Sequence, residues 1–373
     1  MMSSAENRPA HPGAGRERLV ELLRGFVGTQ LLYAATSLGV PDVLHDAARS
    51  AAELAKATGA DLDSLVRVLD GLVALEVIGR DSDGKYESTP LLALLQSDVD
   101  SSFRDAALFY GDIYYRAWSS LREALRTGAN AFELTFGTSF WRYLSEHPDL
   151  AASFSAAMAR NSQREADEVA SLVDASGART IIDVGGGNGV LVAAVLSRHA
   201  TLRGVVIDLP TALGPAEPHL KALDLDGRCE LLAGDFFAAV PPCGDVYVLK
   251  AILHNWDDER AVTILRNCRR AMHRDARLYV VERLRSDDVH DRARVMADLE
   301  MFVLFSGRER SLEETRELLD ASNLRLRGLE TTSLGASVLE VVPDGGPITE
   351  RRSSRAAVSP QTAPAARRPL RHR

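Results

Sequence analysis

Thr180-Ile181-Ile182-Asp183-Val184-Gly185-Gly186-Gly187-Asn188-Gly189-Val190-Leu191 is the stretch from which the fold is read. A β-branched run enters four glycines, and an apolar, helix-forming segment continues to Leu196. That pattern reads as a buried strand, a tight turn and a helix N-terminus. Glycine lacks a Cβ, so the turn can take φ > 0 and let a ligand approach the main chain. Asp183, at the strand's end, sets a carboxylate beside that ligand. A dinucleotide fingerprint would need glycine where Val190 stands, and no G-x-x-x-x-G-K-[ST] follows. A cofactor without phosphate, or a purely structural turn, remains, and the downstream strands decide between them.

Strands and helices alternate beyond the turn. Gly204–Asp208, Arg228–Leu232 and Asp245–Lys250 read as strands, Asp258–Met272 as a helix and Arg277–Glu282 as a fifth strand. Glu313–Ser322 then reads as a helix, and Leu324–Glu330 with Ser337–Val342 as a closing pair of strands. The expected class is therefore α/β, a Rossmann-like doubly wound sheet whose ligand lies beyond the carboxyl ends of the strands.

Upstream, Leu19, Leu22, Leu23, Phe26, Val27, Leu31, Ala34 and Ala35 recur at helical spacing between Arg16 and Leu38. Pro41 marks a break. Ser50 with Glu53 forms a capping box, Asp61 opens the next helix, and Asp83-Gly84 supplies hairpin turn chemistry. Helix, turn, helix and hairpin form a winged-helix pattern. Its candidate recognition helix carries Asp61, Asp63, Asp70 and Glu76 against Arg67, the wrong sign for lying beside phosphates. A helical dimerisation module is the better reading, over residues 16–100.

Residues 101–175 read as a helical linker and pocket region. One helix is expected from Ser102 to Leu125 and another from Leu150 to Val173, with Phe154 and Met158 inward. Phe103, Tyr110, Tyr114, Trp118, Phe132, Phe140 and Trp141 concentrate here in a chain that is only 6% aromatic. Ordinary helix core and a pocket for a flat aromatic ligand both fit that concentration. The catalytic domain is expected over 176–343. Met1–Gly15 reads as a disordered lead-in and 344–373, rich in arginine, as a disordered tail.

Composition narrows the function. Hydrophobic residues make up 46% and charged residues 26%, ordinary for a soluble globular chain. A net charge of −8 disfavours nucleic acid and anionic membranes as partners. Cys229, Cys243 and Cys268 show neither a disulfide framework nor a metal pattern, which suits a cytoplasmic setting, and each reads as a small buried or half-buried side chain. No apolar run reaches membrane-spanning length.

Polar groups collect at the strand ends: Asp183 with its glycines, Asp208, Asp235-Phe236 and Lys250. Asp208 stands where a carboxylate accepts ribose hydroxyls. Asp235 and Phe236 would address an adenine's edge and face. S-adenosylmethionine fits such a crevice, because its sulfonium and ammonium charges favour carboxylate walls. His254, just past the fourth strand, is a natural general base at neutral pH, with Glu282 and Glu309 as candidates to orient its other ring nitrogen.

Taken together, Asp183–Gly189, Ile207–Pro210, Gly234–Phe237, Leu253–Glu259, Val281-Glu282, Asp298–Met301 and Gly307–Ser311 resemble the plant-type (class II, caffeate-O-methyltransferase-like) small-molecule O-methyltransferases, in their bacterial natural-product tailoring branch. The likeness runs from about Glu17 to Val342. It implies a homodimer and a phenolic acceptor, deprotonated by His254 with Glu282 and Glu309 steering it. It implies S-adenosyl-L-methionine held by Asp183, Gly185, Gly187, Asp208, Leu209, Gly234, Asp235, Phe236, Lys250 and Trp256, with S-adenosyl-L-homocysteine as product and no metal. Tyr110, Tyr114, Trp141, Phe154, Met158, Asn255, Met301, Phe302 and Phe305 are the expected acceptor pocket. Asn255 replaces the family's usual Asp, which should lower the basicity of His254 somewhat. Methyl transfer to nitrogen or carbon, a repurposed activity on the same scaffold, and a ligand-sensing regulator are the alternatives.

Overall fold

A computed structural model describes residues 12–99, 102–286 and 288–345. The basic tail from 346 onward and residues 1–11 of the expected lead-in lie outside them. Helix already runs from Pro12 to Ser37.

A seven-stranded sheet carries the C-terminal half. Its strands are β3 (Thr180–Val184), β4 (Arg203–Asp208), β5 (Cys229–Ala233), β6 (Val246–Lys250), β7 (Arg277–Glu282), β8 (Leu324–Thr331) and β9 (Ser337–Pro343). The order is β5-β4-β3-β6-β7-β9-β8, with β3 to β7 parallel and β9 antiparallel to both β7 and β8. Strand order reverses between β3 and β6, which puts the ligand crevice of such a sheet at their carboxyl ends. Register brings the polar termini to one rim: Asp208 pairs with Ala233 and Lys250 with Val281.

Alternate residues feed two cores. Ile181, Val206, Val246 and Val248 pack with Val192 and Leu196 on one face, while Ile182, Ile207, Tyr247 and Leu249 pack with Ile264 and Leu265 on the other. The period of two distributes apolar side chains to both sides, as a helix-covered sheet requires. Cys229 and Cys268 are buried; Cys243, against expectation, is exposed on the loop before β6.

The N-terminal unit holds helices Ala51–Thr58 and Leu62–Ala74 and the hairpin β1 (Ile78–Arg80) and β2 (Tyr86–Ser88). Ser50 and Glu53 make the capping box, and Asp61 caps the next helix on Ser64 N. Asp70 accepts a hydrogen bond from Tyr86 Oη at 2.9 Å and pairs with Arg80, so it fastens the hairpin to its helix. Leu19, Leu22, Leu23 and Phe26, whose spacing resembles a core stripe, are more than half exposed in the single chain. Among the described residues, this face of the first helix is largely uncovered.

The expected helix from Ser102 to Leu125 is broken. Arg104–Phe109 passes through a π-helical turn at Tyr110–Tyr114 into Tyr115–Trp118, and a separate helix runs from Leu121 to Thr127. Gly111 explains the π turn. A Cβ there would overlap Tyr33, and the Gly111 carbonyl accepts a hydrogen bond from Gln30 Nε2 at 2.6 Å. A long-range contact therefore sets this local geometry. Among the described residues, no helix is long and apolar enough to cross a membrane.

Tyr247 joins the sheet to its surroundings: it is fully buried, its hydroxyl accepts from Gly244 N, and it lies 3.1 Å from Pro241 O and 3.0 Å from Ala271 O. Tyr247→Phe leaves those groups unmatched and should cost roughly 1–3 kcal/mol in denaturant unfolding. A change below a few tenths of a kcal/mol would contradict this assignment.

Candidate active site

The glycine turn leaves β3 with Gly185, Gly187 and Gly189 at φ of 75°, 54° and 74°. Gly185 N donates to Ile207 O at 2.8 Å, closing the turn on β4. A Cβ on Gly185 would strike Ile252, so that glycine is required by the chain's own packing. A Cβ on Gly187 would meet nothing within 4 Å, leaving its side of the turn open. Asp208 Oδ2 accepts from Gly187 N at 2.8 Å and its Oδ1 from Leu209 N at 2.7 Å. Asp183 is 2% exposed and its Oδ2 has no hydrogen-bond partner. Burial, reinforced by the charge of Asp208 and opposed by Lys250, pushes its carboxyl up to about 7.

At the next strand end, Gly234 N donates to Asp208 O, and Asp235 Oδ1 accepts from Phe237 N at 2.8 Å. The Phe236 and Phe237 carbonyls both accept from the buried Asn267 Nδ2, at 2.9 and 2.8 Å. The sequence reading missed Asn267; its signal was a polar residue among the inward positions of the Asp258–Ala271 helix. Lys250 Nζ lies 3.3 Å from Ser162 Oγ and 3.9 Å from the buried Glu165, which also binds Arg283. Burial lowers the Lys250 pKa. Glu165 was likewise missed, because it belongs to a helix far away in sequence.

Beyond β6 the chain turns sharply through Ala251 at φ 55°, into a 3-10 turn at Leu253–Asn255. Glu282 Oε1, from the end of β7, accepts from Ile252 N at 3.1 Å and Leu253 N at 2.8 Å. Asn255 Nδ2 donates to Ala251 O at 3.1 Å, so the residue expected in the acceptor pocket turns its amide back onto the strained corner. Arg310, 5% exposed, donates to Leu253 O at 2.8 Å and Trp256 O at 2.6 Å and pairs with Asp258. Gly307 packs directly on the backbone from His254 to Trp256, where a Cβ would overlap the His254 carbonyl. Neither Arg310 nor Gly307 had been given a role by the sequence.

This frame brings together His254, Glu282 and Glu309. His254 Nδ1 lies 2.9 Å from Glu309 Oε1 and 3.5 Å from Glu282 Oε2. Burial alone would depress the imidazole, yet the charge of Glu282 and the hydrogen bond and charge of Glu309 outweigh it and raise the pKa to about 9. The two carboxylates therefore dominate any effect of Asn255. Burial also raises the Glu282 carboxyl. With Nδ1 engaged, Nε2 is the nitrogen left for a ligand. Ligating atoms of the three groups all lie within 4.8 Å of one another, a spacing that would also suit a cation.

An aromatic wall continues from this point. Trp256 meets Phe237 edge-on at 4.7 Å and stacks near Trp141 at 6.1 Å; Trp141 stacks on Phe305 at 5.4 Å and meets Phe154 at 5.9 Å. Phe109 links Phe154 to Tyr114, whose ring lies 4.5 Å from Tyr110. Tyr110 and Met158 are over 40% exposed, at an open edge, whereas Met301 and Phe305 are buried in the same cluster and Phe302 packs against it. Asn130 Nδ2 donates to Phe305 O, holding the end of helix Arg292–Leu304. Burial raises the pKa of Glu300, on that helix.

Comparison with known proteins matches residues 118–324 to an O-methyltransferase domain and 20–98 to an O-methyltransferase dimerisation domain. Phenazine O-methyltransferase PhzM of Lysobacter antibioticus is 38% identical over 87% of this chain and 95% of its own. Phenazine-1-carboxylate N-methyltransferase of Pseudomonas aeruginosa is 37% identical over 82% and 91%. The structure of NcsB1, an O-methyltransferase from neocarzinostatin biosynthesis, in complex with S-adenosylmethionine and 2-hydroxy-5-methyl naphthoic acid, superposes with TM-score 0.77 at 33% identity, covering 85% of this chain and 96% of that one.

The site's charges make stability depend on pH. A raised His254 pKa contributes stability in full below about 6.5 and loses it as pH rises through about 9. Asp183, raised from 3.8 to about 7, adds a cost that grows across that window and is complete above it. Both terms act in one direction. The melting temperature should fall from pH 6.5 to 9, with a shallower fall in His254→Gln; a flat or rising wild-type profile would be inconsistent with these shifts.

Proposed function

The chain belongs to the O-methyltransferase family, and from that premise we infer that it methylates a phenolic hydroxyl of an aromatic natural product, using His254 as general base without a metal. The observation that carries this reading is the imidazole clamped through Nδ1 by Glu309, with Glu282 behind it and an aromatic wall in front.

The glycine crevice fits the family's donor. Asp183 has a buried oxygen without a hydrogen-bond partner, and Gly187 leaves room at the backbone. S-adenosylmethionine supplies, when bound, a methyl made electrophilic by its positive sulfur, and S-adenosylhomocysteine is what remains. In this reading Asp208 and Leu209 hold the ribose, Gly234, Asp235 and Phe236 the adenine, with Trp256 beside it. Asp183, Gly185, Gly187 and Lys250 shape the remaining crevice.

His254 Nε2 takes the acceptor proton. Glu309 fixes the tautomer, and both carboxylates stabilise the imidazolium that forms. Metal independence is supported by the direct Nδ1–Glu309 hydrogen bond, which occupies the ring nitrogen facing the two carboxylates. The dimerisation match and the stripe from Leu19 to Phe26, exposed in the single chain, support a homodimer built through residues 16–100, and three free cysteines support a cytoplasmic setting. Similarity to an N-methyltransferase keeps transfer to nitrogen as the second reading, and the product's acid–base behaviour and fragmentation mass separate the two.

His254→Ala should lower turnover by about 10²–10⁴-fold while S-adenosylmethionine binding persists in calorimetry, and wild-type turnover would exclude the base assignment. Because Glu309 raises the imidazole pKa, kcat/KM should climb toward alkaline pH, and Glu309→Gln should move that limb to lower pH. EDTA should leave the rate unchanged. Asp208→Ala should weaken S-adenosylmethionine binding by about tenfold or more, with unchanged affinity counting against the ribose role.

A further inference from the structure

Glu165 is a buried carboxylate to which the methyl-transfer chemistry above gives no role. It stands on helix Pro148–Leu172, where Phe154, Met158, Ser162 and Glu165 recur at helical spacing and so share one face. Phe154 packs against the aromatic cluster, while Ser162 and Glu165 reach the strand ends. Glu165 Oε1 accepts from the guanidinium of Arg283, just past β7, at 2.8 Å, and its Oε2 lies 3.9 Å from Lys250 Nζ at the end of β6. Lys250 Nζ donates to Ser162 Oγ at 3.3 Å. The Lys250 and Glu165 side chains are 14% and 8% exposed, whereas Arg283, at 46%, reaches water.

An ammonium drawn out of water needs a counter-charge and hydrogen-bond acceptors. It has three N–H donors. Ser162 accepts one, and Glu165 at 3.9 Å supplies charge at a distance too long for a hydrogen bond. Donors are therefore left for a ligand. Burial works against the charged form of Lys250, and Glu165 works for it. The strand order indicates which part of the donor comes here. The sheet runs β5-β4-β3-β6, with the adenine assigned above to Asp235 and Phe236 after β5 and the ribose to Asp208 at the end of β4. The other end of the same molecule then falls past the β3 turn toward β6, and that end carries an α-carboxylate.

Resting on the methyltransferase reading above, we propose that Glu165 is a positioning residue of the donor site: with Ser162, it holds the Lys250 ammonium toward the α-carboxylate of S-adenosylmethionine. Without the Glu165 charge, Lys250 loses its proton or turns away, and the carboxylate loses its partner.

Calorimetric titrations compare S-adenosylmethionine with decarboxylated S-adenosylmethionine, which lacks only that carboxylate. The wild-type protein should bind the former about tenfold or more tightly, the scale of a hydrogen bond to a charged group. Glu165→Gln, close in shape, should erase most of that ratio, and in a Lys250→Met background it should change the ratio by less than about twofold. Ser162→Ala, a milder change, should lower the ratio in the same direction and takes over the test where Glu165→Gln does not fold. A helix anchor alone would weaken both ligands together and leave the ratio in place. Equal wild-type affinities, a ratio preserved in Glu165→Gln (or in Ser162→Ala where that variant does not fold), or a further loss in the Lys250→Met background would overturn the proposal. The methyltransferase reading fails separately, when the wild-type protein binds neither ligand.

Discussion

A half-buried imidazole held by two buried carboxylates is the constraint on which this structure turns. Each of the three groups would cost several kcal/mol to remove from water alone, and their mutual attraction offsets that only if the geometry is held. The holding is done from three directions. Glu282 reaches from the end of β7 to the amides of Ile252 and Leu253, Arg310 reaches to the carbonyls of Leu253 and Trp256, and Gly307 lets its own backbone lie against that of His254. Ala251 accepts a left-handed conformation that most residues avoid, and Asn255 ties down its carbonyl. Strain of this kind persists only where the surroundings over-determine it.

The donor crevice obeys a different logic. Its parts come from strand register, because Asp208 and Lys250 end the parallel strands β4 and β6 on either side of β3, whose penultimate residue is Asp183. The turn at Gly185 is closed by β4 and sterically matched to Ile252, which also precedes the His254 turn. One isoleucine therefore separates the crevice from the base, and the two halves of the site cannot shift independently.

What the sequence disclosed followed from proximity along the chain. A β-branched run into glycines, carboxylates at strand ends and a histidine past a strand are local patterns, and they located the sheet, the crevice and His254. What it concealed depends on partners far apart. Asn267 meets Phe236 and Phe237 across about thirty residues, and Arg310 meets Leu253 across more than fifty. Glu165 finds Lys250 across a still longer gap. Periodicity sees none of these. The first helix falls where the apolar spacing put it, although such spacing identifies a face to be covered without saying which chain covers it. The broken helix at Tyr110 failed for the same reason, as Gly111 takes its conformation from Tyr33 and Gln30.

That last contact ties the first helix to the aromatic wall. The helix from Pro12 to Ser37 presents Leu19, Leu22 and Leu23 outward, while farther along the same rod Gln30 and Tyr33 brace the turn between Tyr110 and Tyr114. Phe26 of this helix also lies 6.2 Å from Tyr115. One rod thus carries an exposed apolar face at one end and braces the tyrosine pair at the other, so a load placed on that face would be felt at Tyr110 and Tyr114.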